Sequence, residues 1–111
     1  MKPDEIVPIL HTKKAHETAK WYERLGFKVE GEHQFAPGMP YYLFLERGTI
    51  HLHLSEHKGD AKVGTLMYFY VYDVDSIAAE FGVKVIDQPW CREVQLNDPD
   101  GNRLRIGERK E

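Results

Sequence analysis

The same local pattern occurs twice in this sequence, and that duplication limits the possible folds more than any other feature. Residues 21–29 (WYERLGFKV) and residues 79–85 (AEFGVKV) each join the end of a helix, a glycine and the start of a strand. A pair of strands follows each of them. Since one βαβββ unit cannot close a core alone, two copies predict a pseudo-symmetric α+β fold with curved mixed sheets.

The first half opens with an apolar, β-branched stretch that indicates a strand, and a helix follows it. Thr12 can cap this helix, and Gly26 ends it, because glycine tolerates the left-handed conformation that follows many helices. Residues 33–40 mix turn-forming and apolar residues, which favours a flap over a pocket. Strands are predicted at residues 5–11, 27–30, 41–46 and 49–55.

The second half repeats this order after a polar connector at residues 57–63. Asp73 or Asp75 caps a short helix that Gly82 ends, and residues 98–102 (DPDGN) form a hairpin turn. We therefore expect a single domain, 1–111, made of half-repeats at about 4–56 and 64–108. Its other strands are predicted at residues 65–72, 83–86, 93–97 and 103–107.

Composition narrows the classes of function. Hydrophobic residues make up 41% of the chain and charged residues 30%, which is typical of a globular protein. No apolar run reaches the roughly 18 residues of a membrane span, and the start lacks a signal peptide's apolar stretch, so we expect a cytoplasmic protein. A net charge of −3 with scattered basic residues argues against nucleic acid, and the single cysteine excludes an internal disulfide.

Three stretches of the sequence carry recognisable motifs: residues 20–27 (KWYERLGF), residues 72–75 (YDVD) and residues 87–105. They resemble the vicinal-oxygen-chelate superfamily, which includes glyoxalase I, ring-cleaving dioxygenases and bleomycin-resistance proteins, and the first two are similar to motifs found throughout it. The order Gln-Pro-Trp, Arg-Glu, Asp-Pro-Asp-Gly-Asn within residues 87–105 is similar to the bleomycin-resistance proteins. The resemblance implies the glyoxalase/bleomycin-resistance fold and a noncatalytic homodimer that sequesters an aromatic or cationic glycopeptide antibiotic, or a similar compound.

The resemblance also implies which residues hold the ligand. In the resistance family a planar heteroaromatic tail stacks between two rings, and the matching positions here are Tyr41 and Trp90. Phe35, Tyr42 and His53 are further expected lining residues. A large ring between strands suits a cavity wall, although a tryptophan in the core would be the plainer explanation of Trp90.

Metal-dependent members of the superfamily bind a divalent ion through one His, Gln or Glu from each of four strands. Counting from the motifs places Val7, Leu66 and Arg105 at three of those positions, and none of them is a suitable ligand. Only His53 remains, so we expect no metal and no other cofactor. The alternative is a glyoxalase- or dioxygenase-type enzyme with an atypical metal site around His51 or His53, and a third possibility is a relative in fold alone with an unrelated ligand.

Overall fold

The computed structural model of the chain describes residues 2–111. Two helices and eight strands lie within those residues, in the order βαβββ-βαβββ that the duplication predicts. The elements are β1 (Ile9–His11), α1 (Ala15–Glu23), β2 (Lys28–His33), β3 (Tyr42–Arg47), β4 (Ile50–Ser55), β5 (Leu66–Tyr70), α2 (Val74–Phe81), β6 (Ile86–Asp87), β7 (Cys91–Asn97) and β8 (Arg103–Arg109).

Each half forms its own four-stranded mixed sheet. The strand order is β1-β4-β3-β2 in the first sheet and β5-β8-β7-β6 in the second. The pairs β1·β4 and β5·β8 are parallel, and the remaining pairs are antiparallel. This topology confirms the predicted α+β fold with two βαβββ repeats.

The core lies between each sheet and its helix. Alternate residues of the strands point to the helix and are buried, as the two-residue period of a strand requires. The side chains that face the helices include Leu43, Leu45, Leu52, Leu54, Phe69, Val94, Leu104 and Ile106. The intervening residues form the other side of each sheet, which is partly exposed; we call these sides the first and second open faces.

Aromatic contacts join the two halves on the helix side. The ring of Trp21 lies 5.2 Å from that of Phe81, and Phe27 contacts Phe69 edge to face at 5.9 Å. Such ring pairs add about 0.5 to 1.5 kcal/mol each beyond the burial of apolar area. The halves therefore share one core through their helix layers.

The DPDGN turn also connects the halves. Tyr22 donates a 2.7 Å hydrogen bond to Asp98, and Thr12 donates one of the same length to Asp100. Asn102 donates to the carbonyl oxygen of His11 at 2.9 Å. Burial and the neighbouring Asp98 carboxylate raise the pKa of Tyr22, so this phenol stays protonated as a donor. The turn is thus a buried polar connection between the repeats as well as a hairpin.

The predicted cap of the first helix is wrong. Helix α1 begins at Ala15, and no side chain caps it from the residue before. Thr12 is committed to Asp100, and the amide of Ala15 donates instead to Glu56 at 2.8 Å. The equivalent glutamate of the second half, Glu108, accepts from the amide of Val74 at 3.0 Å. Each repeat therefore has a glutamate at or just beyond the end of its last strand that accepts a hydrogen bond from the first amide of its own helix.

The second helix follows the prediction more closely. Asp73 accepts hydrogen bonds from the amides of Asp75 and Ser76, and Gly82 ends the helix with a φ of 64°. The strand predicted at residues 83–86 is shorter and lies later in the chain, as the two-residue strand Ile86–Asp87. Neither helix in residues 2–111 has the length and apolar character needed to cross a bilayer.

Candidate functional site

An aromatic pocket lies on the first open face. Tyr42 and Phe44 alternate with the buried Leu43 and Leu45 along β3, so both rings project from the side without the helix. The strand end and the following loops add imidazoles, a further ring and a carboxylate. The pocket has a volume of about 350 Å³ and is lined by His33, Phe35, Tyr42, Phe44, His57 and Asp60.

His53 holds the central ring of this pocket in place. Its Nδ1 atom lies 2.8 Å from the Tyr42 hydroxyl, and its ring meets Phe44 edge to face at 4.8 Å. Burial lowers the pKa of His53 from its ordinary value of 6.5, so the ring is neutral at pH 7. A neutral imidazole can accept a hydrogen bond from the Tyr42 hydroxyl, which fixes the orientation of that phenol.

Asp60 gives the pocket a negative charge. One of its carboxylate oxygens accepts a 2.6 Å hydrogen bond from Ser55, which fixes the side chain beside the rings. The pKa of Tyr42 is raised by burial and then by the charge of Asp60. Aromatic faces beside a carboxylate attract organic cations, so the pocket suits a flat or cationic group.

Farther along the same face, two carboxylates and an imidazole come together. His51 Nδ1 lies 3.1 Å from a carboxylate oxygen of Glu30, and Glu46 pairs with Lys28 at 3.2 Å. One possible ligand atom from each of Glu30, Glu46 and His51 lies within 4.8 Å of the others. A hydrogen bond with Glu30 and another with Lys28 lower the pKa of Glu46.

The second open face presents a fixed, exposed indole. Trp90 is 50% exposed, yet its Nε1 atom donates a 3.0 Å hydrogen bond to the hydroxyl of Tyr68. That hydroxyl lies 2.9 Å from Cys91 Sγ and donates to Glu93 at 2.9 Å. Burial and the contact with Cys91 raise the pKa of Tyr68, which keeps the phenol protonated. Trp90 is therefore a surface ring held in one orientation rather than a core residue.

A buried carboxylate organises the rest of this face. Glu93 is fully buried and accepts two hydrogen bonds from Arg105, at 2.9 and 3.0 Å, and one from Gln95 at 2.9 Å. Burial alone would raise its pKa, but these bonds and the one from Tyr68 outweigh it and lower the pKa to about 2. Glu93 is charged at neutral pH, and it holds Arg105, Gln95 and Tyr68 in fixed positions.

These residues do not fit the superfamily's metal site. Counting from the motifs predicted Val7 and Leu66 as the ligand positions of β1 and β5. The strand register shifts both by two residues, because Ile9 lies beside His53 and Tyr68 lies beside Arg105. Ile9 has no donor atom, and Arg105 is a cation already paired with Glu93. A divalent ion at this set of positions would meet one imidazole, one protonated phenol and a guanidinium, which is not a ligand set for such an ion.

The structure divides the predicted ligand residues into three places. Phe35, Tyr42 and His53 lie at the aromatic pocket, and Trp90 lies on the other sheet. Tyr41 lies on the helix side of the first sheet, where its ring meets His16 edge to face at 4.6 Å. It lines a separate cavity of about 540 Å³. Within one chain, Tyr41 and Trp90 are therefore not brought together.

Sequence reasoning missed several residues of both faces. Phe44 could have been found, because it shares its strand face with Tyr42. Asp60 and His57 could not, because their approach depends on the path of the connector between the halves. His33 at the end of β2 also lines the aromatic pocket, together with His57. The role of Glu93 depends on contacts from three strands.

Comparison with known proteins agrees with this architecture. The family model described as "Glyoxalase superfamily protein" matches residues 2–111. No curated protein matches the chain. The family match spans both repeats and both open faces.

Similar solved structures include three antibiotic-binding proteins. A bleomycin-binding protein complexed with bleomycin has a TM-score of 0.74 and 22% identity, covering 97% of this chain and 100% of that one. The bleomycin-binding protein of bleomycin-producing Streptomyces verticillus has a TM-score of 0.71 and 23% identity, covering 99% of each chain. TnmS3, an antibiotic binding protein from Streptomyces sp. CB03234, has a TM-score of 0.68 and 20% identity, covering 99% and 100%. With the family match over residues 2–111, the chain belongs to the glyoxalase superfamily.

Proposed function

We propose that this chain is a noncatalytic small-molecule-binding protein of the bleomycin-resistance type, which sequesters an aromatic, cationic compound. The observation that carries the proposal is the pocket of about 350 Å³ in which Phe35, Tyr42 and Phe44 surround a site next to Asp60. The lack of a suitable metal-ligand set at the superfamily's positions supports binding without catalysis.

The physical chemistry of the pocket favours a cationic aromatic group over a neutral one. A cation over an aromatic face gains about 0.5 to 2 kcal/mol, and stacked rings gain a similar amount. No single contact of that size gives tight binding, so affinity requires several rings acting together. Tyr42 is oriented in advance by His53, which reduces the entropy that a ligand must remove on binding.

The comparisons support this proposal at the level of the protein class. The similar structures are described as bleomycin-binding or antibiotic-binding proteins. Their identities of 20 to 23% establish the shared fold. Bleomycin is therefore the first compound to test here, and the natural ligand is a compound with the same combination of planar rings and positive charge.

The proposal includes a homodimer, because the two open faces carry opposite charge. On the first face carboxylates outnumber ammonium groups, and on the second face guanidinium groups outnumber carboxylates. The charged side chains are Glu30, Glu46, Asp60 and Lys28 on the first face and Arg103, Arg105, Arg109 and Glu93 on the second. Pairing the first face of one protomer with the second face of its partner would place Trp90 opposite the aromatic pocket and close a groove.

Sedimentation of the untagged protein in a dilution series tests the dimer. A dimer at micromolar concentration that weakens with added salt is expected, because the faces attract each other through charge. A chain that stays monomeric at micromolar concentration would contradict the dimeric groove and leave the pocket of a single chain to act alone.

Titration with bleomycin tests the ligand, and neighbouring tyrosines provide a matched pair of variants. Tyr42→Ala should weaken binding by about tenfold or more, which corresponds to the roughly 1.4 kcal/mol of lost ring contacts. Tyr41→Ala also replaces a tyrosine with alanine at the start of β3, but on the helix side of the sheet. This variant should therefore change binding little. Trp90→Ala should weaken binding only if the dimeric groove forms.

The outcomes of this titration are distinct. If the native protein does not bind bleomycin, the named ligand is excluded. If Tyr41→Ala loses affinity and Tyr42→Ala keeps it, the ligand occupies the cavity on the helix side of the sheet. Thermal unfolding of each variant shows whether a loss of binding reflects a loss of folding.

A metal-dependent enzyme is the second candidate, favoured by the convergence of Glu30, Glu46 and His51. Two carboxylates and an imidazole match the donors that Mn²⁺, Zn²⁺ or Fe²⁺ accept. Metal analysis of protein purified without a histidine tag separates the candidates. A stoichiometric metal that is lost in His51→Ala and kept in His53→Ala would favour an enzyme over a binding protein.

A further inference from the structure

Three arginines on one strand give the second open face an excess of positive charge. Arg103, Arg105 and Arg109 all lie on the open side of β8. In residues 2–111, Arg105 is paired with Glu93, and no carboxylate lies within salt-bridge distance of Arg103 or Arg109. In a chain whose net charge is −3, this excess of cations is local to one face.

A continuous hydrogen-bonded network fixes two of these guanidinium groups. Arg103 donates to the Gln95 side-chain oxygen at 2.7 Å, and Gln95 donates in turn to Glu93 at 2.9 Å. Glu93 also accepts from Nε and Nη2 of Arg105. Since Glu93 takes only one edge of the Arg105 fork, the hydrogen atoms on Nη1 are not used by that pair.

The spacing of Arg103 and Arg105 suits one bound oxyanion. Residues two apart on a strand share a face and lie about 7 Å apart along it, so their guanidinium groups can reach a common acceptor. Arginine binds carboxylate, sulfonate and phosphate oxygens through paired hydrogen bonds, which are stronger than bonds between neutral groups. The network of Glu93 and Gln95 holds the donors in place before any ligand arrives.

Aromatic rings lie directly beside these donors. The guanidinium carbon of Arg105 is 5.1 Å from the centre of the Tyr68 ring, and the Tyr68 hydroxyl accepts the hydrogen bond from Trp90. Gly107 allows the Tyr68 hydroxyl and Cys91 Sγ to pack closely against the backbone of β8, since a Cβ atom there would stand 3.0 Å from both. A planar ligand stacked on the exposed Trp90 ring would direct a substituent towards Arg105.

We infer that the second open face binds the acidic group of an aromatic ligand between Arg103 and Arg105, with the ring stacked on Trp90. The acidic group is a carboxylate, a sulfonate or a phosphate. This inference deepens the proposed function and rests on it in one respect, that Trp90 stacks on ligand rings. Together with the pocket near Asp60, it gives the sequestered compound both a cationic and an acidic group.

The test compares two probes with the same ring system and different charge. Naphthalene-2-sulfonate carries an oxyanion, and naphthalene-2-sulfonamide is neutral and of nearly the same shape. Calorimetric titration at low salt should show the sulfonate binding about tenfold more tightly, as charge-assisted hydrogen bonds from arginine imply. Quenching of tryptophan fluorescence by both probes, lost in Trp90→Ala, locates the ring.

Variants of Arg105 show whether the preference comes from this site. Arg105→Gln should remove most of the preference for the sulfonate, and Arg103→Gln should remove part of it. Arg24→Gln makes the same change of charge on the helix side, where Arg24 pairs with Glu80, and should keep the preference. If Arg105→Gln fails to fold because Glu93 is left buried without its partner, the double variant Arg105→Gln with Glu93→Gln removes both charges and serves in its place.

Several results would overturn the inference. Equal affinity of the native protein for the two probes, no binding of either probe, or an unchanged preference in Arg105→Gln or the double variant would each do so. A loss of preference in Arg24→Gln equal to that in Arg105→Gln would assign the effect to overall charge. Bleomycin titration of the same preparations keeps the proposals apart, because the binding of bleomycin through Tyr42 and the binding of the sulfonate through Arg105 can fail independently.

Discussion

The two open faces occupy equivalent places in the two repeats and have different chemistry. Glu56 and Glu108 cap the two helices in the same way, so the residues three before them, His53 and Arg105, correspond to each other. The first is a neutral imidazole among aromatic rings, and the second is a guanidinium bound to a buried carboxylate.

The helix-facing sides of the same strands are much more alike. Leu52 and Leu54 of β4 correspond to Leu104 and Ile106 of β8, and all four are buried beneath a helix. Packing at native density restricts such positions to apolar side chains of similar size. The open faces have no such restriction. The repeat therefore fixes the core, and the two faces are free to carry different side chains.

The largest effect is expected where the two faces differ most in burial. The strand register makes Glu93 of β7 the counterpart of Tyr42 of β3. Glu93→Ala removes a buried carboxylate and leaves its hydrogen-bond donors without a partner, so it should lower the free energy of unfolding by about 3 kcal/mol. Tyr42→Ala should cost clearly less, because Tyr42 is only partly buried. Urea unfolding of both variants measures the difference, and similar losses would contradict the contrast between the faces.

A smaller effect is expected at Gly107, the counterpart of Ser55. In Gly107→Ala the added methyl group would stand 3.0 Å from Cys91 Sγ and from the Tyr68 hydroxyl, and 3.2 Å from the ring of Tyr70. Overpacking of this kind costs about 1 to 3 kcal/mol. The displaced Tyr68 hydroxyl should also release Trp90, which a shift in its emission would reveal. Ser55→Ala should leave the emission of Trp90 unchanged, and a shift there would break the comparison.

The faces should also respond to acid in separate ranges of pH. The pKa of His53 is lowered from 6.5, so its contribution to stability is present above pH 6.5 and decreases as the pH falls below that value. The pKa of Glu93 is lowered from 4.5 to about 2, so its contribution is present above pH 4.5 and decreases between pH 4.5 and 2.

Urea unfolding as a function of pH checks these ranges. The difference between the native protein and His53→Gln should shrink below pH 6.5, and that between the native protein and Glu93→Gln should shrink below pH 4.5. If both differences in the free energy of unfolding shrink over the same range of pH, the two faces do not titrate separately.

The smallest effect is expected from removing one hydroxyl from each face. The Tyr68 hydroxyl contacts Trp90, Cys91 and Glu93, and the Tyr42 hydroxyl contacts His53 alone among the described side chains. Tyr42→Phe should therefore cost about 0.5 to 1 kcal/mol, and Tyr68→Phe should cost more because one of its partners is a buried charge. Thermal unfolding of the two variants tests the order, and a larger loss in Tyr42→Phe would reverse it.

The fold was predictable because its signals are local. Gly82 ends the second helix with a positive φ, Gly26 has a positive φ in the turn that follows the first helix and its cap Arg24, and alternating apolar residues mark the strands beside them. The same alternation identifies Tyr42 and Phe44 as partners on one face. It also separates Tyr41 from Tyr42, because a step of one residue turns a side chain to the other side of a sheet.

The sequence by itself determined the duplication, the cap and the end of the second helix and the apolar positions of the core, since these depend on residues close together in the chain. Only the tertiary structure decided that Thr12 bonds to Asp100 instead of capping a helix, that Asp60 comes beside Tyr42, and that Glu93 holds Arg105 and Tyr68. Those contacts join residues from different strands and loops. Their energies depend on burial and distance, which no local pattern in the chain specifies.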